Sequence, residues 1–259
     1  MTTMNDAQPI DEYTIASLAE RPELAADVPG LLASRWPAYM LIGRPGHEVD
    51  LDALVPTFAE NQLLLISADD VLAGAALTLP LPWDGTLGDL PAGWDDAVTR
   101  AAASLEHGVP TTAICALSIT IAPHATGRGL AAGMIRAMRR MTGDCGFGSL
   151  IVPLRPSRKA EYPLIPMERY LAWRTPAGED FDPWVRLHRR LGGELLGICP
   201  RSMTVTGSLE EWRDWLQQEI PGSGDYILPG GLAPLTADAD ADLGVYVEPN
   251  VWFRHDPEG

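Results

Sequence analysis

Basic residues and cysteines are scarce in this sequence, and long apolar runs are missing. Its 19 Lys and Arg stand against 35 Asp and Glu, which gives a formal net charge of −16. Nucleic acids and anionic membrane surfaces attract proteins with an excess of cations, so we expect neither as a partner. No apolar run approaches the roughly 18 residues of a membrane-spanning helix, and the first residues do not resemble a secretion signal.

The three cysteines are Cys115, Cys145 and Cys199, and they are scattered along the chain. They form no CxxC pair and no His/Cys cluster with the spacing of a metal site. We therefore expect buried thiols, no bound metal and a reducing, cytoplasmic location. None of the cysteines has a histidine beside it in the sequence, which disfavours a catalytic thiol.

What the sequence does contain is a strand, a glycine turn and a helix between Leu117 and Arg140. Residues 117–121, LSITI, alternate apolar and small polar side chains, a pattern that predicts a strand. Pro123 ends the strand because proline lacks the N–H that a sheet ladder needs. Beyond Gly129, apolar side chains recur on one face of a predicted helix. They are Leu130, Met134, Met138 and Met141.

The glycine turn has the chemistry of an anion site. A helix N-terminus leaves N–H groups without partners and carries a partial positive charge. Gly127 and Gly129 let the backbone approach a ligand, and Arg128 adds a cation. A sharp corner alone needs the same glycines, so both interpretations stay open at this point. No Lys-Ser or Lys-Thr follows the glycines, which excludes a standard P-loop. The sequence around them also lacks the βαβ context of a Rossmann domain, which argues against that fold.

The segment His124-Ala125-Thr126-Gly127-Arg128-Gly129 resembles the Q/R-x-x-G-x-G/A loop of the GCN5-related N-acetyltransferases, the GNAT superfamily. His124 stands where that family has Gln or Arg. Leu191-Gly192 resembles the end of the family's last core helix, Y-x-x-x-G-F, with Gly193 in place of the aromatic residue. The resemblance covers about residues 60–206. It implies an α/β fold with a mixed, mostly antiparallel central sheet, two splayed strands and flanking helices.

The resemblance also implies a cofactor, acetyl-CoA, as co-substrate. In the family, the loop binds the pyrophosphate and the preceding strand pairs its backbone with the pantetheine arm. The next strand, residues 149–154 here, parts from it and admits the thioester. The implied cofactor-binding residues are Ile119, Thr120, Ile121, His124, Thr126, Gly127, Arg128, Gly129 and Leu130.

Local patterns predict the remaining elements. Helices are predicted within 14–32 and at 51–61, 95–107, 182–191 and 209–218, and strands at 62–67, 71–79, 194–196 and 203–206. We expect one acyl-CoA N-acyltransferase domain over 1–259. Its core would span about 14–206, with 207–259 as a C-terminal extension packed on that core. Residues 1–12 are polar, and we expect them to be frayed.

Residues 155–182 are longer than an ordinary connection and reverse the charge of the whole chain. Their arginines, with Trp36 from the early helices, are candidates for binding an acceptor that carries a carboxylate. Pairing of the same arginines with the protein's own carboxylates is an equally open interpretation. The substrate-binding candidates are Arg155, Arg158, Arg174 and Trp36.

No carboxylate lies in the predicted central strand, so a general base has to come from elsewhere. His188 aligns with the tyrosine that, in the family, protonates the leaving thiolate, and histidine can act there as acid or base. Glu161 and Glu168 are further candidates for the base. Glu248 and His255 in the tail are candidates too, with structural roles favoured for both.

These observations together predict an acetyl-CoA-dependent N-acetyltransferase. The segments DPWVRLHRRLGG (182–193) and YVEPNVWFRH (246–255) resemble acetyltransferases of actinobacterial natural-product pathways. That resemblance implies a small amine or hydrazine acceptor with a carboxylate, such as a hydrazino or amino dicarboxylic acid. Four alternatives stay open: a longer acyl donor or acyl carrier, a protein acceptor, CoA binding without transfer, and an unrelated phosphate-binding α/β module. A homodimer is compatible with the sequence.

Overall fold

The computed structural model describes residues 12–258. The predicted fraying of residues 1–12 therefore lies, apart from Glu12, outside the described residues. The ten described strands are β1 (Tyr13–Ser17), β2 (Arg44–Pro45), β3 (Leu63–Ser67), β4 (Leu72–Leu81), β5 (Ala113–Ile121), β6 (Ser149–Leu154), β7 (Glu194–Gly207), β8 (Gly224–Tyr226), β9 (Leu235–Asp238) and β10 (Leu243–His255). The eight described α-helices are α1 (Val28–Ala33), α2 (Ala38–Ile42), α3 (Leu51–Thr57), α4 (Trp94–His107), α5 (Leu130–Asp144), α6 (Met167–Leu171), α7 (Pro183–Arg190) and α8 (Leu209–Leu216).

All ten strands form one sheet, and eight of them follow the order β1-β3-β4-β5-β6-β10-β7-β2. The strand β9 adds to β10 beside β6, and β8 pairs with β9. Every ladder is antiparallel except the one between β5 and β6. The predicted fold class, a mixed and mostly antiparallel sheet flanked by helices, is confirmed.

The helix α5 packs the predicted apolar face onto the sheet. Leu130, Met134, Met138 and Met141 are all buried in the largest core cluster, together with side chains of β3, β5 and β6. At about 25 cal/mol per Å² of apolar area removed from water, such a face holds the helix far more firmly than its own propensity does. The anchored helix in turn fixes the glycine turn at its first residue.

Three segments differ from their predicted structure. The sequence predicts one or two helices within 14–32, interrupted by Pro22 and Pro29, but Tyr13–Ser17 is the edge strand β1, followed by a 3₁₀ turn and α1. The β-branched pair in YTIAS favours a strand once β3 offers its edge. The two short strands predicted within 194–206 are one continuous strand, β7.

The C-terminal segment is the third difference. The strand β10 lies between β6 and β7, pairing with β6 through Val251–His255 and with β7 along most of its length. It is thus a central strand of the sheet, whereas the sequence predicted an extension packed on a finished core. The local pattern could not show this, because the two strands between which it lies, β6 and β7, precede it by about 40 residues or more.

Candidate active site

The two central strands β5 and β6 are joined at one end only. Their ladder covers Ala113–Cys115 against Ser149–Ile151, and beyond it no pairing joins the two strands. Six residues of β5, from 116 to 121, therefore have β4 on one side and no strand on the other. Such an edge leaves backbone N–H and C=O groups available to an extended ligand. The predicted splay of these strands is present.

A bulge accompanies the parting of the strands. Opposite β4, Leu77 pairs with Ser118 and Thr78 with Ala116, so Leu117 is the extra residue of β5. A β-bulge bends its strand and increases the local twist. The Leu117 carbonyl is not left bare, because the indole Nε1 of Trp94 donates to it at 3.1 Å. The bend thus turns the second half of β5 away from β6.

A backbone cradle follows β5 at the N-terminus of α5. Gly127 has φ +80° and Gly129 has φ +73°, conformations that side chains with a Cβ rarely adopt. A Cβ at either position would meet no atom within 4 Å, so the space in front of both is open. The N–H groups of residues 127–131 have no acceptor among the described residues. Five free donors beside a positive helix end form an anion-binding surface.

The fork between β5 and β6 and the cradle share one cavity of about 1180 Å³. This volume slightly exceeds that of an ordinary small-molecule site, about 300–1,000 Å³. Ten of the predicted site residues line it. They are Trp36, Ile119, Thr120, Ile121, Thr126, Gly127, Gly129, Leu130, Arg155 and His188. The predicted cofactor and acceptor residues therefore meet in one place.

Trp36 and Thr120 touch directly across this cavity. The indole Nε1 of Trp36 donates to the hydroxyl of Thr120 at 2.9 Å, which explains how the second polar residue of β5 is satisfied although it is buried. The guanidinium of Arg155 lies 5.8 Å from the centre of the Trp36 ring. This contact joins the early helices to β6 on the far side of the fork.

Behind Arg155 lies a buried group of polar side chains that centres on Glu248 of β10. The Nε of Arg155 donates to both carboxylate oxygens of Glu248, at 2.9 and 3.1 Å. Tyr246 donates its hydroxyl to the same carboxylate at 2.6 Å, and Asn250 its amide at 3.2 Å. Burial raises the pKa of Tyr246, and the negative charge of Glu248 raises it further. Both charges of this ion pair are compensated, so its first role is to fix the cavity wall.

His188 is nearly inaccessible, with 1% of its surface exposed, yet the residue is part of the cavity lining. Its Nδ1 is 2.8 Å from Nε2 of His255, the last residue of β10. Burial lowers the pKa of His188 to about 3, and the neighbouring His255 lowers it further. At neutral pH the ring is therefore uncharged.

His47 and Ser118 also line the cavity, although no sequence pattern marks either of them as a site residue. The Nδ1 of His47 accepts the N–H of Val49 at 3.2 Å, so Nε2 carries the proton, and this buried atom has no partner among the described residues. Burial lowers the pKa of His47. The buried hydroxyl of Ser118 also lacks a partner there. An isolated His and a Ser in a strand are too common to be singled out without the fold.

Six predicted site residues lie away from the cavity lining. They are His124, Arg128, Glu161, Glu168, Arg158 and Arg174. Arg158 bonds Glu161 through two nitrogens at 2.9 and 2.7 Å, and that hydrogen bond lowers the pKa of the carboxyl. Arg174 lies 3.5 Å from Asp180. Pairing with the protein's own carboxylates is thus what these two arginines do, and their placement does not support the predicted roles in substrate binding.

The other displaced candidates are exposed. Glu168 lies at the start of α6 with its side chain in solvent, and Glu161 is held by its arginine, so neither is placed to act as the predicted base. Arg128 pairs with Glu12 at 3.2 Å, and His124 is exposed in the 3₁₀ turn before the cradle. Both adjoin the backbone cradle in the sequence without lining the cavity.

Two kinds of feature are absent from residues 12–258. No helix there is both long and apolar enough to cross a bilayer. Within the same range, no group of three or more His, Cys, Asp or Glu side chains is arranged to hold a metal ion.

Comparison with known proteins gives one curated relative at substantial coverage. The arginine N-acetyltransferase avaD of Aspergillus versicolor is 29% identical over 276 aligned residues, which cover 94% of this chain and 93% of that protein. No protein-family model matches the chain.

Two solved structures share the fold. The loading GNATL domain of CurA from Lyngbya majuscula aligns with a TM-score of 0.57 at 14% identity, covering 95% of this chain and 98% of that one. The GphF GNAT-like decarboxylase in complex with isobutyryl-CoA aligns with a TM-score of 0.56 at 15% identity, covering 94% and 98%. At these identities the matches establish the fold and leave the reaction to the site.

Proposed function

We propose that this chain is a member of the GCN5-related N-acetyltransferase superfamily and that it transfers the acetyl group of acetyl-CoA to the amine of a small, carboxylate-bearing acceptor. The observation that carries the proposal is the single cavity that joins the fork between β5 and β6 to the cradle at α5. An extended amide chain that ends in a diphosphate needs both features, and in that order. The arginine N-acetyltransferase relative supports the same reaction class.

Acetyl-CoA would bind with its charged and its amide parts in different places. The free N–H groups of residues 127–131 would hold the diphosphate, and the unpaired edge of β5 from Ser118 to Ile121 would pair with the pantetheine amides. The thioester would then lie in the fork, enclosed by Val152 and Leu154 of β6. Apolar walls exclude water there, which protects the thioester and strengthens hydrogen bonds to it.

The acceptor end of the cavity carries charges of both signs. Asp50 and Asp52 line its mouth, and Arg35 is an exposed lining cation with no ion pair among the described residues. An amino acid with a cationic side chain fits this arrangement, its carboxylate on Arg35 and its side chain near the two aspartates. The relative that acts on arginine supports this class. A hydrazino or amino dicarboxylic acid finds less support, because Arg155, Arg158 and Arg174 are engaged elsewhere.

Acetyl transfer to the proposed acceptors is the direct test. The enzyme is incubated with acetyl-CoA and arginine, lysine, glutamate or a hydrazino dicarboxylic acid, and products are read by mass spectrometry. We expect acetylation of the cationic amino acids to exceed that of the diacids. Preference for the diacids would overturn the acceptor class, and no transfer to any amine would overturn the reaction. Parallel assays with propionyl- and isobutyryl-CoA test a longer acyl donor, which the large cavity would admit.

Arg35→Gln tests the carboxylate contact. We expect the KM for the amino acid to rise by about tenfold, the loss of one exposed charge-assisted hydrogen bond, with the KM for acetyl-CoA unchanged. Arg201→Gln is the matched control, because Arg201 is an exposed arginine of β7 outside the cavity lining. Equal effects of the two variants would mean that only net charge matters.

A further inference from the structure

A second and smaller cavity lies between α5 and the edge strand β1. Its volume is about 340 Å³, near the lower end of the range for small-molecule sites. None of the described residues lines both cavities, so acetyl transfer as proposed leaves the smaller one without a role. Its lining consists of Tyr13, Thr14, Ile15, Gly133, Arg136 and Arg140.

Two exposed arginines give this cavity a charge opposite to that of the whole chain. The side chain of Arg136 forms no hydrogen bond or ion pair with any other residue between 12 and 258. Arg140 lies 3.8 Å from the carboxylate of Glu258, which Arg139 contacts at the shorter distance of 2.7 Å. The chain has 35 acidic residues and a net charge of −16, yet its described part supplies no carboxylate to Arg136.

The helix itself does not explain this grouping of cations. Arg139 and Arg140 follow Arg136 by three and four residues, so they are its neighbours on the helix surface, where like charges repel. The helix dipole favours cations in the last turn only, and Arg136 lies about two turns before the end of α5 at Asp144. A bound anion would offset the repulsion between these arginines.

The smaller cavity adjoins the backbone cradle through Tyr13. The hydroxyl of Tyr13 accepts a hydrogen bond from Nη1 of Arg128 at 3.4 Å, and Tyr13 itself lines the smaller cavity. Arg128 lies between the two glycines of the cradle. One tyrosine thus contacts the cradle loop and also forms part of the smaller cavity.

The surface of α5 also leads from the cradle to this cavity. Gly129, Gly133, Arg136 and Arg140 are spaced i, i+4, i+7 and i+11, so they lie on one face of the helix. Gly133 has no side chain, and this row therefore carries none between the cradle and Arg136. Arg136 follows Gly129 by about 10 Å along the helix axis. Helical side chains lean toward the N-terminus, which brings the Arg136 guanidinium closer to the cradle.

A ligand that reaches from the cradle into this cavity needs an anionic group beyond its diphosphate. CoA has one, since its ribose carries a 3′-phosphate monoester beside the 5′-diphosphate that the cradle would hold. A phosphate monoester has a charge of about −1.5 to −2 at pH 7 and three acceptor oxygens. Arginine binds such a group through two parallel hydrogen bonds. A phosphopantetheine arm on an acyl carrier has a single phosphate and no group for this cavity.

We propose that the smaller cavity binds the 3′-phosphate of CoA through Arg136 and Arg140, with the hydroxyl of Tyr13 as a further donor. The acyl donor is then a free CoA ester, and an acyl group on a carrier protein is disfavoured. This inference rests on the proposed function, because the diphosphate in the cradle is what places the 3′-phosphate. It concerns the affinity for the donor and leaves the chemistry of acetyl transfer unchanged.

Isothermal titration of the whole protein with CoA and with 3′-dephospho-CoA tests the inference without turnover. We expect CoA to bind more tightly by about tenfold or more, the scale of one added charge-assisted contact, and the ratio to shrink as salt is raised. Equal affinities for the two ligands would overturn the 3′-phosphate site and leave the proposed function standing. Binding of neither ligand would overturn the proposed function, and this inference with it.

Paired arginine variants test whether these residues bind the phosphate. The double variant Arg136→Gln, Arg140→Gln should bind CoA no better than 3′-dephospho-CoA, with its affinity for 3′-dephospho-CoA within about twofold of the native value. The control variant Arg169→Gln, Arg201→Gln removes two charges at exposed positions outside both cavities. It should keep the native ratio of affinities. A ratio that survives in the first variant, or is lost equally in the second, would contradict the assignment to these arginines.

Discussion

At the scale of single residues, Asp182 accepts more hydrogen bonds in the fold than its place in the sequence predicts. Its position before Pro183 predicts a helix cap, and its Oδ1 indeed accepts the N–H groups of Trp184 and Val185, at 2.8 and 3.2 Å. The fold adds bonds that no local pattern shows: the Ser157 hydroxyl donates to Oδ1 at 3.5 Å, and two further groups donate to Oδ2. Its Oδ2 accepts the hydroxyl of Tyr170 at 2.6 Å and the N–H of Arg158 at 2.9 Å.

Asp182→Ala should therefore destabilise the protein more than the loss of an ordinary cap. We expect a drop of about 3 kcal/mol or more in the free energy of unfolding, because the buried Tyr170 hydroxyl is left unpaired as well. Asp50→Ala is the matched control, since Asp50 caps α3 through two N–H groups but is exposed. It should cost about 1 kcal/mol. Equal losses in urea titrations would contradict this account.

Gly127→Ala should weaken acetyl-CoA binding by about tenfold, because a Cβ strains the positive φ and occupies the open side of the cradle. Gly178 has almost the same geometry, φ +81° with nothing within 4 Å, but lies outside the cavity lining. Gly178→Ala should therefore lose a similar amount of stability and no affinity. Isothermal titration of both variants with acetyl-CoA separates strain from ligand contact, and equal affinities would contradict the cradle.

At the scale of elements, local sequence predicted those helices and strands whose first and last residues are marked by proline, glycine or a capping residue in the same segment. The strand β6 was predicted residue for residue, and Asp182, Pro183 and Gly192 predict both ends of α7 from local sequence alone. The helix α5 and the end of β5 follow from one motif. What local patterns could not give is pairing across distance, such as the edge strand β1 or the place of β10. The partner of His188, 67 residues further on, was hidden for the same reason.

The position of β10 predicts the effect of truncation. A chain that ends at residue 242 loses the strand that joins β6 to β7, together with the buried Tyr246, Val251 and Phe253. We expect it to show no cooperative thermal transition, because the two parts of the sheet no longer share a core. A chain that ends at residue 256 keeps β10 and loses mainly the ion pair of Glu258 with Arg139, so it should fold. A cooperative transition in the shorter chain would contradict this placement.

At the scale of the whole molecule, buried titratable groups make stability depend on pH. His188 and His255 have folded pKa values of about 3 and 4, below the usual 6.5. Below about pH 6.5 the unfolded chain thus binds protons that the folded one does not, and stability falls as pH falls. Burial raises the pKa of Asp95 to about 6. Below that pH the folded state binds a proton that the unfolded chain does not yet bind, so Asp95 makes stability rise as pH falls.

Urea titrations at pH 7 and pH 5 should therefore give a lower free energy of unfolding at pH 5. Between these pH values the two histidines change the free energy of unfolding more than the one aspartate does. Ordinary carboxylates have pKa values below pH 5 and contribute little to the difference. His255→Leu should reduce the difference between the two pH values, whereas His107→Leu, at an exposed position in α4, should not. A free energy of unfolding that does not change, or rises, toward pH 5 would contradict the burial of the pair.

The late position of β10 in the sequence has a consequence for synthesis on the ribosome. Every other strand of the sheet precedes β10, and until it is made the edge of β6 is open along Leu150–Leu154. An unpaired apolar edge in a nascent chain is a site for wrong association. The sheet closes only when contacts of long sequence separation form, which is slow. Chaperones that hold exposed strand edges should therefore raise the yield of this protein, and pauses in translation before residue 243 should lower it.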